Sequence, residues 1–352
     1  TENPKVCSFE GNSLSPLEVR MATIKDVCKA AGVSKATVSR VINKTGQVKE
    51  STRVKVEAAI KQLNYRPSSL AQTLAASSGN SIGLVLSDFD GSYFGSLLKQ
   101  ASASATRMGK QLIIADGKNQ AEFELQAVSS LVEQKCDVIV LYSRQLTAQQ
   151  LIELNHEIST PLIHVGQELP ESAGYSIAFD QKRAIESAAT HLMSIGHRHI
   201  AYFGPCPTTR TTQVRLEAFK AITEKQPFSV ETQHLVCGFD VKAAYEQALE
   251  QIPNNWRFSA IVAASDDIAI GILRACREKG IGVPSDVSIV SIDNEKMTEF
   301  VVPQLTTVDI PIERITERAM EVAQQLIEDQ VTIRPEIVVG ELFVRDSTKP
   351  LV

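Results

Sequence analysis

No C-x-x-C pair occurs among the six cysteines (Cys7, Cys28, Cys136, Cys206, Cys237 and Cys276). That removes the usual zinc and thiol-redox spacings and leaves them reading as reduced, small apolar residues of a cytoplasmic protein. No apolar run approaches the length of a membrane span. The N-terminal stretch has no basic segment followed by an apolar one, so no secretory signal is expected. G-x-S-x-G, the Walker loop and G-x-G-x-x-G are all missing, and with them the motifs for a nucleophile elbow, a P-loop and a dinucleotide fold. His197 and His199, in G-H-R-H, have no cysteine or second histidine cluster at ligand spacing, so no metal and no cofactor is expected. Asp266 and Asp267 open a helical pattern and read as a cap rather than an acid/base pair, and no enzyme is expected.

What the chain has is length and contrast. Its 352 residues suggest two or three domains, and 43% apolar residues are enough for large cores. From Ala22 to Asn43 it reads A-T-I-K-D-V-C-K-A-A-G-V-S-K-A-T-V-S-R-V-I-N. Ile24, Val27 and Ala31 recur at spacings of three and four, the stripe of a short amphipathic helix. Gly32 breaks it, and Ser34 is placed to cap the next helix. In that second helix Val38, Val41 and Ile42 share one face, while Lys35, Ala36, Ser39, Arg40 and Asn43 share the other. Two short helices joined by a glycine turn form a helix-turn-helix, with a polar face suited to a DNA major groove; the alternative is an ordinary helical hairpin. Val56, Ile60 and Leu63 predict a third helix over about 51–64.

Charge separates the same region from the rest. Residues 21–75 hold ten lysines and arginines against three acids, a net charge of +7 within a chain of −5, which leaves −12 elsewhere. The head can displace counterions from phosphate, whereas the body is repelled by it.

From Ser81 the pattern alternates between strands and helices. Strands are predicted at 82–87, 111–115, 137–142, 161–165, 199–203, 233–236, 259–263 and 287–292. Helical patterns include 122–134, 181–195, 213–225, 241–251, 266–279 and 312–328. Near-continuous apolar strands alternating with amphipathic helices predict doubly wound parallel sheets, and so many strands predict two lobes. Ligands of such sheets bind beyond the carboxyl ends of the strands, which in facing lobes line a shared cleft. The residues that follow the strands (Asp88, Phe89, Tyr93, Phe94, Ser143, Arg144, Thr209, Thr211, Arg215, Phe239, Ser265 and Asp293 among them) suit a small polyhydroxylated ligand. Arginine and carboxylate pair with adjacent hydroxyls, and rings stack on the C–H face of a sugar.

The run A-T-I-K-D-V, then G-V-S-K-A-T-V-S-R-V-I-N, then Y-R-P-S-S-L-A-Q-T-L resembles the start of the lactose-repressor/galactose-repressor family of bacterial transcription regulators. The resemblance runs from Met21 to about Thr348 and extends to the purine repressor and to repressors of sugar and glycoside operons. It implies an all-α helix-turn-helix head with a hinge helix, then a type I periplasmic-binding-protein-like α/β core. The implied domains are residues 21–66 for the head, 67–80 for the hinge, 81–180 plus about 312–340 for the first lobe, and 181–311 plus about 341–348 for the second. In the head, Thr23, Ser34, Lys35, Ala36, Thr37, Ser39, Arg40 and Asn43 are expected at DNA, with Leu74 as a minor-groove wedge. Gln72 stands where many members have arginine. The resemblance matches Arg215 and Asp293 to effector-binding residues, Phe239 to a stacking aromatic, and Tyr93 and Phe94 to a rim pair. Together with Ser143, Arg144, Thr211 and Ser265 they form the expected effector site. Gly166 and Ser265 are simpler than the Asn or Asp that sugar-responsive relatives often carry, which leaves room for a bulkier substituent.

The expected partners are double-stranded operator DNA, a small sugar or glycoside, and a second copy of the chain. The end at Val352, with no leucine-heptad tail, favours a homodimer over a tetramer. Residues 1–20, without periodicity and starting at Thr1, are expected to be a disordered leader. Two readings stay open. One is a ligand-responsive repressor, either induced or corepressor-dependent; the other is a sugar-sensing or carbohydrate-processing protein whose head serves only dimerisation.

Overall fold

The computed structural model describes residues 22–43, 45–65, 79–89, 91–171, 174–252, 256–330 and 334–351. The expected leader and most of the expected hinge, including Leu74, lie outside these residues. Contacts divide the chain into a head, up to Ser77, and a core from Ser78 onward.

In the head, α1 (Ile24–Ala31), α2 (Lys35–Ile42) and α3 (Glu50–Gln62) close around Val27, Val38, Val56 and Ala59. Ile24, Ala31, Val41, Ile42, Ile60 and Leu63 pack at the margin of this core. Thr23 starts α1: its backbone N–H and its hydroxyl both donate to Asp26 Oδ2, at 2.8 and 2.7 Å. Gly32 ends α1 at φ +64°, a left-handed conformation that costs glycine little and a β-branched residue much. Two residues later Ser34 Oγ accepts the Thr37 N–H at 3.2 Å and caps α2.

The core holds two six-stranded sheets. The first has the order β11-β5-β4-β3-β1-β2, built from β1 (Ser81–Leu86), β2 (Gln111–Asp116), β3 (Val138–Tyr142), β4 (Leu162–Gly166), β5 (Tyr175–Phe179) and β11 (Glu336–Val338), all parallel. The second has the order β12-β10-β9-β8-β6-β7, from β6 (His199–Gly204), β7 (Glu231–Val236), β8 (Ala260–Ala263), β9 (Ser288–Asp293), β10 (Thr306–Asp309) and β12 (Leu342–Phe343); only the β10–β12 pair is antiparallel. β1 and β3 are buried along their whole length, as strands covered by helices on both faces must be.

The first lobe carries α4 (Ser92–Arg107), α5 (Ala121–Glu133), α6 (Ala148–Glu157) and α11 (Ile312–Ile327), the last packed on α4, β3, β4 and β5. The second carries α7 (Gln181–Ser194), α8 (Arg210–Glu224), α9 (Val241–Gln251) and α10 (Asp266–Glu278). The chain therefore passes between the lobes three times, after β5, after β10 and after β11. The passages are tied together: the Asp180 N–H donates to Val338 O at 2.9 Å, and the Asp309 N–H to Glu341 O at 2.8 Å. A Cβ at Gly340 would collide with the Asp309 carbonyl and crowd the Phe179 ring at 3.2 Å, so the third passage needs glycine.

Four strands escape the periodicity reading. β10 is T-T-V-D, too polar to read as a buried strand, yet its two threonines are buried. β5 has a serine at its second position, and β11 and β12 are only three and two residues long.

Candidate functional site

In the head, Thr23, Ser34, Lys35, Ala36 and Arg40 are exposed, while Thr37, Ser39 and Asn43 are half-buried. Thr23 and Ser34 are engaged as helix caps. Asn43 Nδ2 donates to Ser39 Oγ at 3.3 Å, so these two brace each other on one side of α2. Lys35, Ala36 and Arg40 remain as side chains directed to solvent from the first and last turns of α2, with Val38 beneath them in the head core. Two long cations and a methyl group on a rigid face match what guanine acceptors and a thymine methyl offer in a major groove.

In the core, a cleft of 640 Å³ opens where the strand ends of the two sheets face each other. The first lobe contributes Tyr93 and Phe94 from the start of α4, Tyr142 from the end of β3, and Arg144. The three rings form a cluster with centroids 5.4 to 5.8 Å apart, Phe94 edge-to-face with both tyrosines and the two tyrosines tilted at 59°. The Arg144 guanidinium lies 4.8 Å from the Phe94 ring and 5.9 Å from that of Phe239, which belongs to the second lobe. Among the described residues, no carboxylate stands within 4 Å of it.

The second lobe contributes Thr211, Arg215, Phe239, Ser265 and Asp293. Arg215 is buried. Its Nε donates to Gln181 Oε1 at 2.7 Å, its Nη1 donates to the Ala264 carbonyl, and its Nη2 stands 3.7 Å from Asp293 Oδ1. Burial pushes the Asp293 carboxyl well above the usual carboxylate range, and Arg215, the main opposing influence, does not cancel that at this distance. Asp293 holds a backbone φ of +120°, a conformation rare outside glycine. Burial, then the neighbouring Tyr142, pushes the Tyr93 phenol well up.

Eight of the nine effector candidates thus line one cleft: Tyr93, Phe94, Arg144, Thr211, Arg215, Phe239, Ser265 and Asp293. Ser143 does not. It is buried beneath the cleft floor, where its hydroxyl donates to Glu124 Oε2 at 2.5 Å and accepts the Leu146 N–H at 3.0 Å. Strand alternation explains this, since Tyr142 and Ser143 point opposite ways and the ring takes the cleft side. The reading of the Asp266–Asp267 pair as a cap also changes. Ser265 is the N-cap, accepting the Ile268 N–H at 3.3 Å, while Asp266 turns inward and is fully buried.

Sequence reasoning misses Tyr142, Gln181, Asn119 and Glu295, which also line the cleft. Tyr142 reads as the last apolar residue of a strand, and Gln181 as the first turn of a helix. Gly166, at φ +100°, sits where a Cβ would come within 3.2 Å of the Tyr142 ring. Its bareness and that ring are one adaptation. His197 is engaged on both ring nitrogens, by Ser259 Oγ at 2.8 Å and by Ser288 Oγ and the Lys349 carbonyl at 3.1 Å.

Two family models match the chain: bacterial regulatory proteins of the lacI family over residues 23–68, and a periplasmic binding protein-like domain over residues 189–348. The HTH-type transcriptional regulator AscG of Escherichia coli (strain K12) is 33% identical over 93% of this chain and 98% of its own length. A sugar-binding transcriptional regulator of the LacI family from Escherichia coli, solved in complex with phosphate, matches at 28% identity and a TM-score of 0.70, over 78% of this chain and 100% of its own. The lac repressor dimer bound to operator and the anti-inducer ONPF shares the fold at a TM-score of 0.84 and 24% identity, over 93% of this chain and 99% of its own.

Proposed function

The chain belongs to the lacI family of bacterial regulatory proteins, and from that premise we propose that it is a cytoplasmic transcriptional repressor that holds a near-palindromic operator as a homodimer and releases it when a neutral sugar or glycoside fills the cleft. The observation that carries this reading is the Arg215–Asp293 pair opening into a cleft whose opposite wall is aromatic. A guanidinium and a carboxylate side by side match the donors and acceptors of adjacent hydroxyls, and the rings of Tyr93, Phe94, Tyr142 and Phe239 suit the C–H faces of a sugar or the ring of an aglycone. The described cleft lining carries Asp88, Asp240, Asp267 and Glu295, besides the raised carboxyl of Asp293, against Arg144, Arg215 and Lys242, so the cleft offers a strongly anionic ligand no net positive charge. Among the described residues, no helix is long and apolar enough to cross a membrane.

Operator and effector are linked reciprocally: whatever the sugar does to operator affinity, the operator does to sugar affinity, by a coupling of typically about 1–3 kcal/mol. A sugar phosphate is the second reading, favoured by Arg144, whose guanidinium forms no ion pair within 4 Å among the described residues, Asp293 acting on it only from farther off. The test is a gel-shift titration of the full chain on a palindromic operator with free sugars, methyl and 4-nitrophenyl glycosides, sugar phosphates and purines. Release by a neutral glycoside supports the proposal, release by phosphates alone replaces it with the second reading, and tightening by purines makes the protein corepressor-dependent.

A further inference from the structure

Two carboxylates that touch no ligand-facing space are fully buried, one beneath each wall of the cleft: Glu124 in the first turn of α5 and Asp266 at the start of α10. Their surroundings match. Glu124 Oε1 accepts the Ser87 hydroxyl at 2.7 Å and the Arg144 N–H at 3.3 Å, and its Oε2 accepts the Ser143 hydroxyl at 2.5 Å. Ser87 Oγ in turn accepts the Arg144 N–H at 2.8 Å. Asp266 Oδ1 accepts the hydroxyls of Ser291 at 2.5 Å and Thr307 at 2.8 Å, and its Oδ2 accepts the Glu295 N–H at 2.7 Å. In each lobe one carboxylate thus gathers hydroxyls from two neighbouring strands, just past their ends in the first lobe (Ser87, Ser143) and within them in the second (Ser291, Thr307), and the backbone N–H of a segment that enters the cleft. Those strands are β1 and β3 on one side, β9 and β10 on the other.

We propose that Glu124 and Asp266 are matched positioning residues, Glu124 fixing the segment that presents Arg144 and Asp266 fixing the segment that presents Asp293 and Glu295. The assignment rests on the reading of this cleft as the effector site. A buried carboxylate with satisfied lone pairs is directional: without Glu124 the Ser143 hydroxyl loses its acceptor and the Ser87 hydroxyl, whose oxygen holds the Arg144 N–H, is left to turn to the Tyr142 carbonyl at 3.1 Å, while without Asp266 the Glu295 N–H and the Thr307 hydroxyl lose theirs. The fold makes room for it: a Cβ on Gly117 would come within 2.6 Å of Glu124 Cγ. Burial lifts Asp266 to about 7 against its donors. An amide isostere can keep the network, since serine and threonine hydroxyls reverse their polarity while a backbone N–H cannot. A glutamine at 124 meets the Arg144 N–H with its carbonyl and Ser143 with its amide nitrogen. An asparagine at 266 meets the Glu295 N–H with its carbonyl and the two hydroxyls with its nitrogen.

The test is amide hydrogen exchange on the unliganded full chain, with circular dichroism reporting the overall fold. Glu124→Ala is expected to speed exchange at Arg144 and Leu146 by about tenfold or more and to leave Glu295 unchanged; Asp266→Ala is expected to do the reverse. Glu124→Gln and Asp266→Asn should restore protection, whereas Glu124→Met and Asp266→Leu, which fill the space without hydrogen-bonding, should not; protection restored by the apolar variants would reduce both residues to space filling. Should an alanine variant fail to fold, Gly117→Ala decides the first lobe. It keeps the carboxylate but crowds it, together with the Leu86 carbonyl at 3.0 Å, and is expected to deprotect Arg144. Unchanged exchange at Arg144 in the folded Glu124→Ala variant, or in Gly117→Ala, overturns the proposal, as does an isostere that behaves like alanine. In parallel, wild type and variants are titrated with 4-nitrophenyl and methyl glycosides. If wild type binds none of them, the effector reading fails while the exchange results still stand for or against positioning.

Discussion

Arg215 Nη2 and Asp293 Oδ1 stand 3.7 Å apart, close enough to share an electrostatic field and too far for a hydrogen bond. The pair is therefore unfinished, and a ligand hydroxyl placed between the two groups would complete it. Arg215 already has Gln181 and the Ala264 carbonyl, so its orientation is set beforehand. Arg215→Ala should abolish release of operator by the effector and leave operator affinity in its absence within about threefold, which is within about 1 kcal/mol. A gel-shift titration reads both quantities. A variant that releases operator at the wild-type effector midpoint removes Arg215 from the site.

Asp293 combines two costs, a buried carboxyl and a φ of +120°. Strain of this kind commonly costs about 1–3 kcal/mol and gathers at functional positions. Asp293→Gly should consequently melt at or above the wild-type temperature while losing the effector response. A large fall in melting temperature would instead make Asp293 a structural residue.

Arg40 projects from the last turn of α2, opposite the buried Val38. If it reads a base, Arg40→Ala should cost about 1–3 kcal/mol on the cognate operator and relax discrimination at one position. Competition binding against single-base operator variants is the check. Equal weakening on every sequence, with a shallower salt dependence, would make Arg40 a phosphate contact.

Ser34→Ala removes the hydroxyl that accepts the Thr37 N–H and should destabilise the helix-turn-helix by about 1 kcal/mol. Hydrogen exchange in α2 should accelerate by roughly the matching fivefold or so, with exchange in the core unaltered.

His164, on β4, is buried with neither ring nitrogen hydrogen-bonded, and it lies directly opposite Ser176 of β5, whose hydroxyl is likewise unpartnered. Burial lowers His164 to about 4. The sign follows from the neutral ring being the folded form. Its contribution is fully present above about pH 6.5 and is lost as pH falls toward 4, by about 3 kcal/mol. Burial of His191 and His197 acts in the same direction. Urea midpoints measured from pH 7.5 to 4.5 should therefore fall less steeply in His164→Leu than in wild type. Parallel curves would show that His164 does not titrate in this window.

Much of this was legible in the residues. Buried parallel strands such as I-G-L-V-L and D-V-I-V-L-Y announce themselves because both faces are apolar, and the head helices because their stripes are strict. β10 did not, because its threonines are buried through hydrogen bonds: Thr307 to Asp266, and Thr306 to the Arg345 carbonyl. The cleft residues follow from a simple rule, that side chains just past the strand ends face the ligand. The rule fails at Ser143 and is blind to Tyr142, since a strand's last residue and the one after it point to opposite sides. Asp266 shows the other limit. Whether a carboxylate at a helix start caps, faces solvent or turns into the sheet depends on hydroxyls 25 and 41 residues away, which no local pattern reports.

The threefold passage between the lobes sets an order of assembly during synthesis. The first lobe's sheet is missing β11, and one of its faces is missing α11, until the ribosome has finished the whole of α7 through β10. The second lobe has nearly all its strands earlier and waits for β12 and the segment after it, in which the buried Ser347 bridges Ile289 and Thr306. The lobe translated first is therefore the one completed late, and its apolar face stays open on the nascent chain until Ile327 has emerged. A truncation just short of α11 should leave a chain with an almost whole second lobe and an exposed first one, a natural substrate for chaperones.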